Sequence, residues 1–404
     1  MRVDLLSREY PPNIYGGAGV HVAELSKVLA AHADVHVHAF DGPREAGLVD
    51  GVTVNGYDYL DGLEGNDAIK TFGVDLQMVG GVEGADIVHS HTWYANLAGH
   101  LSGLMYGIPH IISAHSLEPL RPWKREQLGG GYELSSFAEK TAYEGAAGLV
   151  AVSRAMREDI LRSYPNVDPD KVEVIHNGID LDAWKRPDSM DEAEEYFRSY
   201  GLDPERPTVI FVGRITRQKG VPHFLRAVAQ LPEEIQVILC AGRPDTKEIV
   251  DEVRGLVEDL QKDRDGIVWI EEHLSHEKMV FLQSMSTTFV TPSVYEPLGI
   301  VNLEAMACGL PVVGSDTGGI PDCIVHDETG LLVPIEQVDD GTGTPKDPER
   351  FEADLAAALT EVCSDQELAA RMGAAGRKRV EEHFSWESIA VKTMDFYTRV
   401  LEHF

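Results

Sequence analysis

Two doubly wound α/β domains, each a parallel sheet wrapped by helices, are what the sequence predicts, and three observations predict it. Short apolar runs alternate with longer amphipathic stretches from end to end, which is the rhythm of βα units. At 404 residues, the chain exceeds what one hydrophobic core usually fills. About midway the rhythm stops. The stretch DLDAWKRPDSMDEAEEYFRSYGLDPERP, Asp180 to Pro207, is charged, carries three prolines and shows no strand pattern. A domain junction belongs there, giving an N-terminal domain over 1–183 and a C-terminal domain over 184–384.

In the first half the strand candidates are Arg2 to Leu6, Asp34 to Phe40, Asp86 to His89, Pro109 to Ala114, Leu149 to Val152 and Val172 to Ile175. Between the first two, Ala18, Val22, Leu25 and Leu29 recur at helical spacing. The second half repeats the pattern with Thr208 to Val212, Gln236 to Ala241, Ile267 to Ile270, Thr288 to Thr291, Pro311 to Gly314 and Gly330 to Val333. The tract GTGTPKDP around Gly341 reads as a loop. Such Rossmann-like sheets bind ligands outside their strand C-terminal ends, in the cleft expected between the two domains. Catalytic groups are therefore expected in strand-to-helix loops.

Composition narrows the function. Hydrophobic residues at 43% and charged residues at 25% suit a soluble globular protein. The first strand candidate starts at Arg2 with no leader pattern ahead of it, and no apolar run approaches the roughly 20 residues of a membrane span. A cytoplasmic protein without membrane attachment is expected. Cys240, Cys308, Cys323 and Cys363 stand far apart, which argues against a zinc ribbon or a disulfide framework. A formal charge of -32 disfavours nucleic acid and anionic membranes, which are bound through clustered Lys and Arg. It leaves neutral ligands, or anions met by a local basic pocket; it is equally what a plainly solvated acidic surface looks like.

Three segments carry chemistry. In SREYPPNIYGGAGVHVAEL, Gly16, Gly17 and Gly19 open a helix, where backbone N–H groups suit an anion; a plain tight turn reads the same way, and the pattern is not G-x-G-x-x-G. In FVGRITRQKG, Arg214 and Lys219 flank a strand-to-helix turn and suit a diphosphate, although surface cations are usually just solvated. The strongest signal is TPSVYEPLGIVNLEAMACGLPVVGSDTGGIPD. Glu296 precedes a helix opened by Gly299, and Glu304 lies about two turns on. Two such carboxylates can accept hydrogen bonds from sugar and ribose hydroxyls, while the freed N–H groups of Leu298, Gly299 and Ile300 can face phosphate or sugar oxygens.

The E-x7-E stretch, with G-R-x-x-x-x-K-G before it and G-G-I-P-D after it, resembles the retaining glycosyltransferases of the GT-B architecture, family 4, over nearly the whole chain. EYPPNIYGGAGVHV, SHTWYANLAGHL, SAHSLEP and VIHNGIDLDAW together resemble the ADP-glucose-using glycogen synthases and the related maltose-1-phosphate synthases of actinobacteria. The resemblance implies that Arg214 and Lys219 bind the donor diphosphate, that Glu304 holds the ribose, and that Glu296 with the N–H groups of Leu298, Gly299 and Ile300 contacts the transferred glucose. It implies that Gly16 and Gly17 meet the phosphates from the other domain and that His115 is the active-site histidine. It further implies ADP-glucose as donor, no cofactor and no essential metal, and a C-terminal helix at about 385–404 that returns to the first domain. Domain closure over the donor is expected from the charged junction at Asp180 to Pro207 and a site split between the halves. A homodimer is compatible with all of this.

Other readings weigh less. His89-Ser90-His91 has a metal-like spacing, but neighbouring carboxylates and further histidines are missing around it in sequence, so no metal is expected. Asp180-Leu181-Asp182 falls in the junction and is set aside as a decoy. His91-Thr92-Trp93-Tyr94 stands where better-known bacterial glycogen synthases carry H-D-W-H, which favours family 4. A Rossmann dehydrogenase lacks its glycine fingerprint, and a non-catalytic glucan-binding module would not need paired cations and carboxylates. The acceptor expected first is an α-1,4-glucan; the alternative is glucose 1-phosphate, giving maltose 1-phosphate. Tyr94, Trp123, Lys124 and Arg125 are the acceptor candidates, since the run Arg121 to Arg125 could meet a phosphate, stack its Trp on a sugar ring, or simply be solvated.

Overall fold

Runs such as RVDLLS and QVILCAG are rich in Val, Ile and Leu and are buried along almost their whole length, as strands covered on both faces must be. The computed structural model describes residues 1–45, 47–120, 130–242 and 244–404. These form two units, residues 1–178 with 386–404, and residues 179–385.

In the first unit the strands are β1 (Arg2–Ser7), β2 (Asp34–Ala39), β3 (Val52–Gly56), β4 (Ile87–His91), β5 (His110–Ala114), β6 (Gly148–Ala151) and β7 (Val172–Val174). They make a parallel sheet in the order β3-β2-β1-β4-β5-β6-β7, with Val3 opposite both Val35 and Ile87. Successive residues of β1 serve opposite faces. Val3 and Leu5 pack with Val22 and Leu25 of helix Gly17–Leu29 and with Ile389 and Phe396 of helix Trp386–His403. Leu6 packs with Val74 and Met78 of helix Asp67–Gly81 and with Ala95 and Ala98 of helix Trp93–Tyr106. Each buried aliphatic side chain contributes roughly 1.5–3 kcal/mol relative to exposure. Gly178 makes room for the final helix, since a Cβ there would lie 2.5 Å from the Trp386 ring.

The second unit contains β8 (Thr208–Arg214), β9 (Gln236–Gly242), β10 (Ile267–Ile270), β11 (Thr288–Thr291), β12 (Val312–Ser315) and β13 (Gly330–Val333), in the order β10-β9-β8-β11-β12-β13, all parallel. Its core joins Val209, Phe211 and Leu239 to Phe224, Val253, Leu355 and Leu359 on the flanking helices. Strand order reverses between β1 and β4 in one unit and between β8 and β11 in the other, so the loops after these strands flank each sheet's ligand-binding crevice.

Three local features differ from the sequence expectation. The break lies between Gly178 and Ile179, ahead of the 183/184 boundary, because Ile179 N–H donates to Phe384 O at 2.8 Å and Arg377 donates to Trp184 O at 2.9 Å. Those bonds tie the Asp180 turn to the second unit. Strand β3 was not expected; VTVNG is a short, half-exposed edge strand held by the Val35–Val52 register. Strand β4 runs past His89 to His91, which pairs with Ser7, because this central strand buries its polar residues too. Among the described residues no helix is long and apolar enough to cross a membrane.

Asp75 sits fully buried in helix Asp67–Gly81, and neither carboxylate oxygen has a hydrogen-bond partner among the described residues. Desolvation pushes its carboxyl well above the usual range. A raised carboxyl makes wild-type stability fall as pH rises from the unfolded value near 4 toward the folded one. Asp75→Asn is therefore expected to raise the unfolding midpoint at pH 7 relative to wild type, by the equivalent of about 1–3 kcal/mol, and the gain should shrink toward pH 4. Thermal melts at the two pH values check this; a gain that does not depend on pH would contradict it.

Candidate active site

In the second unit the loops after β8 and β11 meet. Arg214 ends β8 opposite Gly242, is largely exposed, and its guanidinium pairs with the Asp245 carboxylate. The turn Arg217–Lys219 is capped by Thr216, whose Oγ1 accepts from Lys219 N at 3.2 Å. Gly220 follows with φ of +66°, and a Cβ there would lie 1.9 Å from Pro292 O, so only glycine lets the two loops touch. Across that contact Lys219 Nζ donates to Glu296 Oε2 at 2.6 Å, and Ser293 Oγ donates to the same oxygen at 3.3 Å. Glu296 is buried, and its Oε1 accepts nothing from the described residues.

The loop then turns into helix Ile300–Ala307, capped by Gly299 at φ +91°. No described protein group accepts from the N–H groups of Leu298, Gly299 or Ile300, so three donors stand beside the free Glu296 oxygen. Beneath the loop, Cβ atoms on Gly318 or Gly319 would lie 2.3 Å from Glu296 O and Pro297 O, which explains the paired glycines of G-G-I-P-D. Glu304, in the same helix, is half-buried. Desolvation pushes its carboxyl up to about 7, against the opposing pull of Lys219. Lys219, Glu296, Leu298, Gly299, Ile300 and Glu304 thus converge, as the spacing predicts, while Arg214 stands nearby on its own ion pair. That pairing with Asp245 had no sequence signal.

In the first unit, Gly16 caps helix Gly17–Leu29, but its N–H is not free. Tyr15 N and Gly16 N both donate to Glu9 Oε2 at 2.7 Å. The place read as an anion site therefore already holds a carboxylate at Gly16, and Gly17 is the glycine whose N–H opens the first turn. Tyr94 lies in the first turn of helix Trp93–Tyr106, under the Arg8 guanidinium at 4.2 Å. Arg8 forms no hydrogen bond or ion pair among the described residues. Trp123, Lys124 and Arg125 lie outside the described residues.

His115 follows β5, and its Nε2 is 3.0 Å from His91 Nδ1 at the end of β4. His21, from the first helix, meets both rings at centroid distances of 4.7 and 5.4 Å. The expectation that no further histidines surround the H-x-H pair is thereby overturned, since a helix and the ends of two strands bring them together from distant sequence. The His89 ring lies against His91 at a centroid distance of 4.4 Å, tilted by 34°, and is itself satisfied by Tyr397 Oη at 2.6 Å and Ser113 Oγ at 2.9 Å. Burial holds these imidazoles neutral: His115 falls to about 4, His89 to about 3, and His21 and His91 well below the usual value, chiefly by desolvation. The only sequence trace of His21 was a histidine on an apolar helix face, which reads as core. The D-x-D segment is structural, with Asp180 Oδ1 accepting from Asp182 N and Ala183 N at 3.0 and 2.9 Å.

Residues 15–183 match Glycosyltransferase Family 4 and residues 192–379 match Glycosyl transferases group 1. The alpha-maltose-1-phosphate synthase of Mycolicibacterium smegmatis is 48% identical over 402 residues, covering 99% of this chain and 100% of that protein. The alpha-maltose-1-phosphate synthase of Mycobacterium tuberculosis is 48% identical over 400 residues, with the same coverage of 99% and 100%. Among solved structures, sucrose-phosphate synthase from Thermosynechococcus elongatus has the same fold, with a TM-score of 0.76 over 100% of both chains at 23% identity.

The two ion pairs differ in burial, so their removal should differ in effect. Lys219→Met strands a buried Glu296 carboxylate and is expected to destabilise the chain by about 3 kcal/mol. Arg214→Ala breaks an exposed pair and should change stability by less than about 1 kcal/mol. Denaturant unfolding of both variants decides it; equal losses would contradict the assigned burial.

Proposed function

The chain belongs to the GT-B glycosyltransferases of family 4, and from that premise we propose that it transfers glucose from ADP-glucose to glucose 1-phosphate with retention, forming α-maltose 1-phosphate. The observation that carries this is the 48% identity, over nearly the full length, to alpha-maltose-1-phosphate synthases of two mycobacteria. It favours glucose 1-phosphate over the glucan that the motifs alone put first. The site chemistry is consistent with it. Arg8, resting on Tyr94 and without a hydrogen bond or ion pair among the described residues, offers a cation for an acceptor phosphate. Adenine as the base is supported only by the motif resemblance.

In the proposed reaction the bond between glucose C1 and the diphosphate oxygen breaks as the acceptor hydroxyl approaches from the same face. The sugar passes through an oxocarbenium-like state. The hydroxyl proton goes to the departing phosphate, and a new C1–O bond forms on the acceptor. Charge develops on the leaving diphosphate. Lys219, held by Glu296, and the N–H groups of Leu298, Gly299 and Ile300 are already oriented and need no rearrangement to offset it. Arg214 exchanges Asp245 for the diphosphate. Glu296 Oε1 and the carboxyl of Glu304 accept from sugar and ribose hydroxyls. Gly16 and Gly17 are assigned to the donor phosphates by the resemblance, with Glu9 yielding its place. His115, neutral, orients a sugar hydroxyl by hydrogen bonding and carries no charge to the reaction.

The test is a purified-enzyme assay pairing ADP-glucose or UDP-glucose with glycogen or glucose 1-phosphate, with the anomeric configuration of the product read by NMR. Only ADP-glucose with glucose 1-phosphate should turn over efficiently, giving an α-linked product. Efficient extension of glycogen alone would overturn the acceptor, and preference for UDP-glucose the donor. Arg214→Ala should slow turnover by roughly 100-fold or more in a chain of near wild-type stability. Arg8→Ala should raise KM for glucose 1-phosphate by about tenfold with little change in KM for the donor; equal changes in both would remove Arg8 from the acceptor site.

A further inference from the structure

The histidine cluster of the first unit offers more than the proposed transfer uses. His21, His91 and His115 come from a helix and the ends of two strands, yet each places one ring nitrogen within 4.8 Å of the others. Both ring nitrogens of His21 and Nε2 of His91 are buried without a hydrogen-bond partner. Buried polar nitrogens are normally satisfied, and the ring of His21, facing both His91 and His115, has a nitrogen left for a ligand. Asn177, also buried, lies beside His21 near enough to act on its ring as a hydrogen-bond partner, although its Oδ1 makes no well-formed hydrogen bond. A carbonyl in that position is what a metal-bound imidazole needs for its second N–H.

We propose that His21, His91 and His115 form a site for a borderline transition-metal dication of the Zn2+ class, and that its occupancy switches glucosyl transfer off by engaging His115. The donor set is all imidazole nitrogen, which suits Zn2+, Co2+ or Ni2+ and not the oxygen-seeking Mg2+ or Ca2+. His91 Nδ1 and His115 Nε2 lie 3.0 Å apart, against about 3.3 Å for two nitrogens at about 2.0 Å from a tetrahedral ion. Binding uses the lone pairs of both these nitrogens. The proton they share relocates to the second nitrogen of its ring, Nε2 of His91 or Nδ1 of His115, so no proton need be lost. His115 is only partly buried, which gives the ion access and leaves a fourth position for water or a ligand oxygen.

Metal binding stands on the geometry alone; the inhibitory half rests on the place given to His115 in the proposed transfer, and the two are read separately. Calorimetric titration of the chelator-stripped, full-length chain with Zn2+ should give one saturable site, Co2+ should develop the visible absorption of tetrahedral nitrogen coordination, and Mg2+ should give neither. Asn177→Ala should weaken Zn2+ by about tenfold or more, and His21→Gln by more still. His91→Asn serves as a second ligand variant should His21→Gln fail to fold, as judged by circular dichroism. No saturable site, or one of unchanged affinity in these variants, overturns the site. With Zn2+ bound, transfer should stop and return with EDTA. Undiminished transfer by the metal-loaded enzyme overturns the switch, whereas no transfer by the metal-free enzyme counts against the transferase reading instead.

Discussion

The contact between Lys219 Nζ and Glu296 Oε2 is what the second unit's site is built around. It joins the loops after the two strands at which the sheet order reverses, so it sets how far apart those loops stand. Neither charge is well exposed, and a buried pair of this kind is held together as much by the penalty of leaving either member alone as by its own attraction. The glycines around it follow from that closeness. Gly220 is pressed against Pro292 O, and Gly318 and Gly319 against Glu296 O and Pro297 O, at distances no side chain tolerates. With the loop pinned, the next helix starts at a fixed point and its first N–H groups are left without acceptors. A preorganised donor array therefore arises from one ion pair and three close backbone approaches.

The first unit solves a different electrostatic problem. Of its clustered histidines, His21, His89 and His91 are as buried as Glu296 and His115 is partly so, yet none pairs with a carboxylate among the described residues, so desolvation keeps them uncharged. Neutral imidazoles can orient hydroxyls or ligate a metal; they cannot offset a leaving group's charge. The division of labour assigned above, with charge handled by Lys219 and Arg214 and sugar orientation by His115, is the one these environments permit.

Much of the second unit's site could be read directly from sequence, because its parts are short-range. Glu296, the three N–H donors and Glu304 lie within one loop and one helix, and strand-end placement of Lys219 was enough to bring it near. What could not be read depends on tertiary convergence. His21 reaches His91 and His115 only because the first helix lies over the ends of β4 and β5, and nothing local distinguishes it from a core histidine. The Glu9 side chain on Gly16 N–H and the Asp245 partner of Arg214 are likewise contacts between a loop and a residue outside it. Edge strand β3 escaped notice because only one side of it is paired, so its alternation is weak and half polar. Acceptor identity was illegible for another reason: a phosphate and a glucan hydroxyl can both be met by the same basic and aromatic residue types.

A chain of formal charge -32 that takes a nucleotide sugar and a sugar phosphate, as proposed above, must bind anions against its own field. Screening resolves this at short range, since beyond about 8 Å in physiological salt the diffuse surface charge is largely cancelled. Inside the site, distance and low dielectric let a few fixed donors dominate. That logic explains why the recognised cations are so few and so constrained. Lys219 is clamped by Glu296, and Arg214 is held at a strand end by Asp245, so each is neutralised locally. In the proposed transfer the exposed Arg214–Asp245 pair is the one a phosphate exchanges while the buried Lys219–Glu296 pair stays anchored, which would tie anion selectivity to fold geometry and not to net charge.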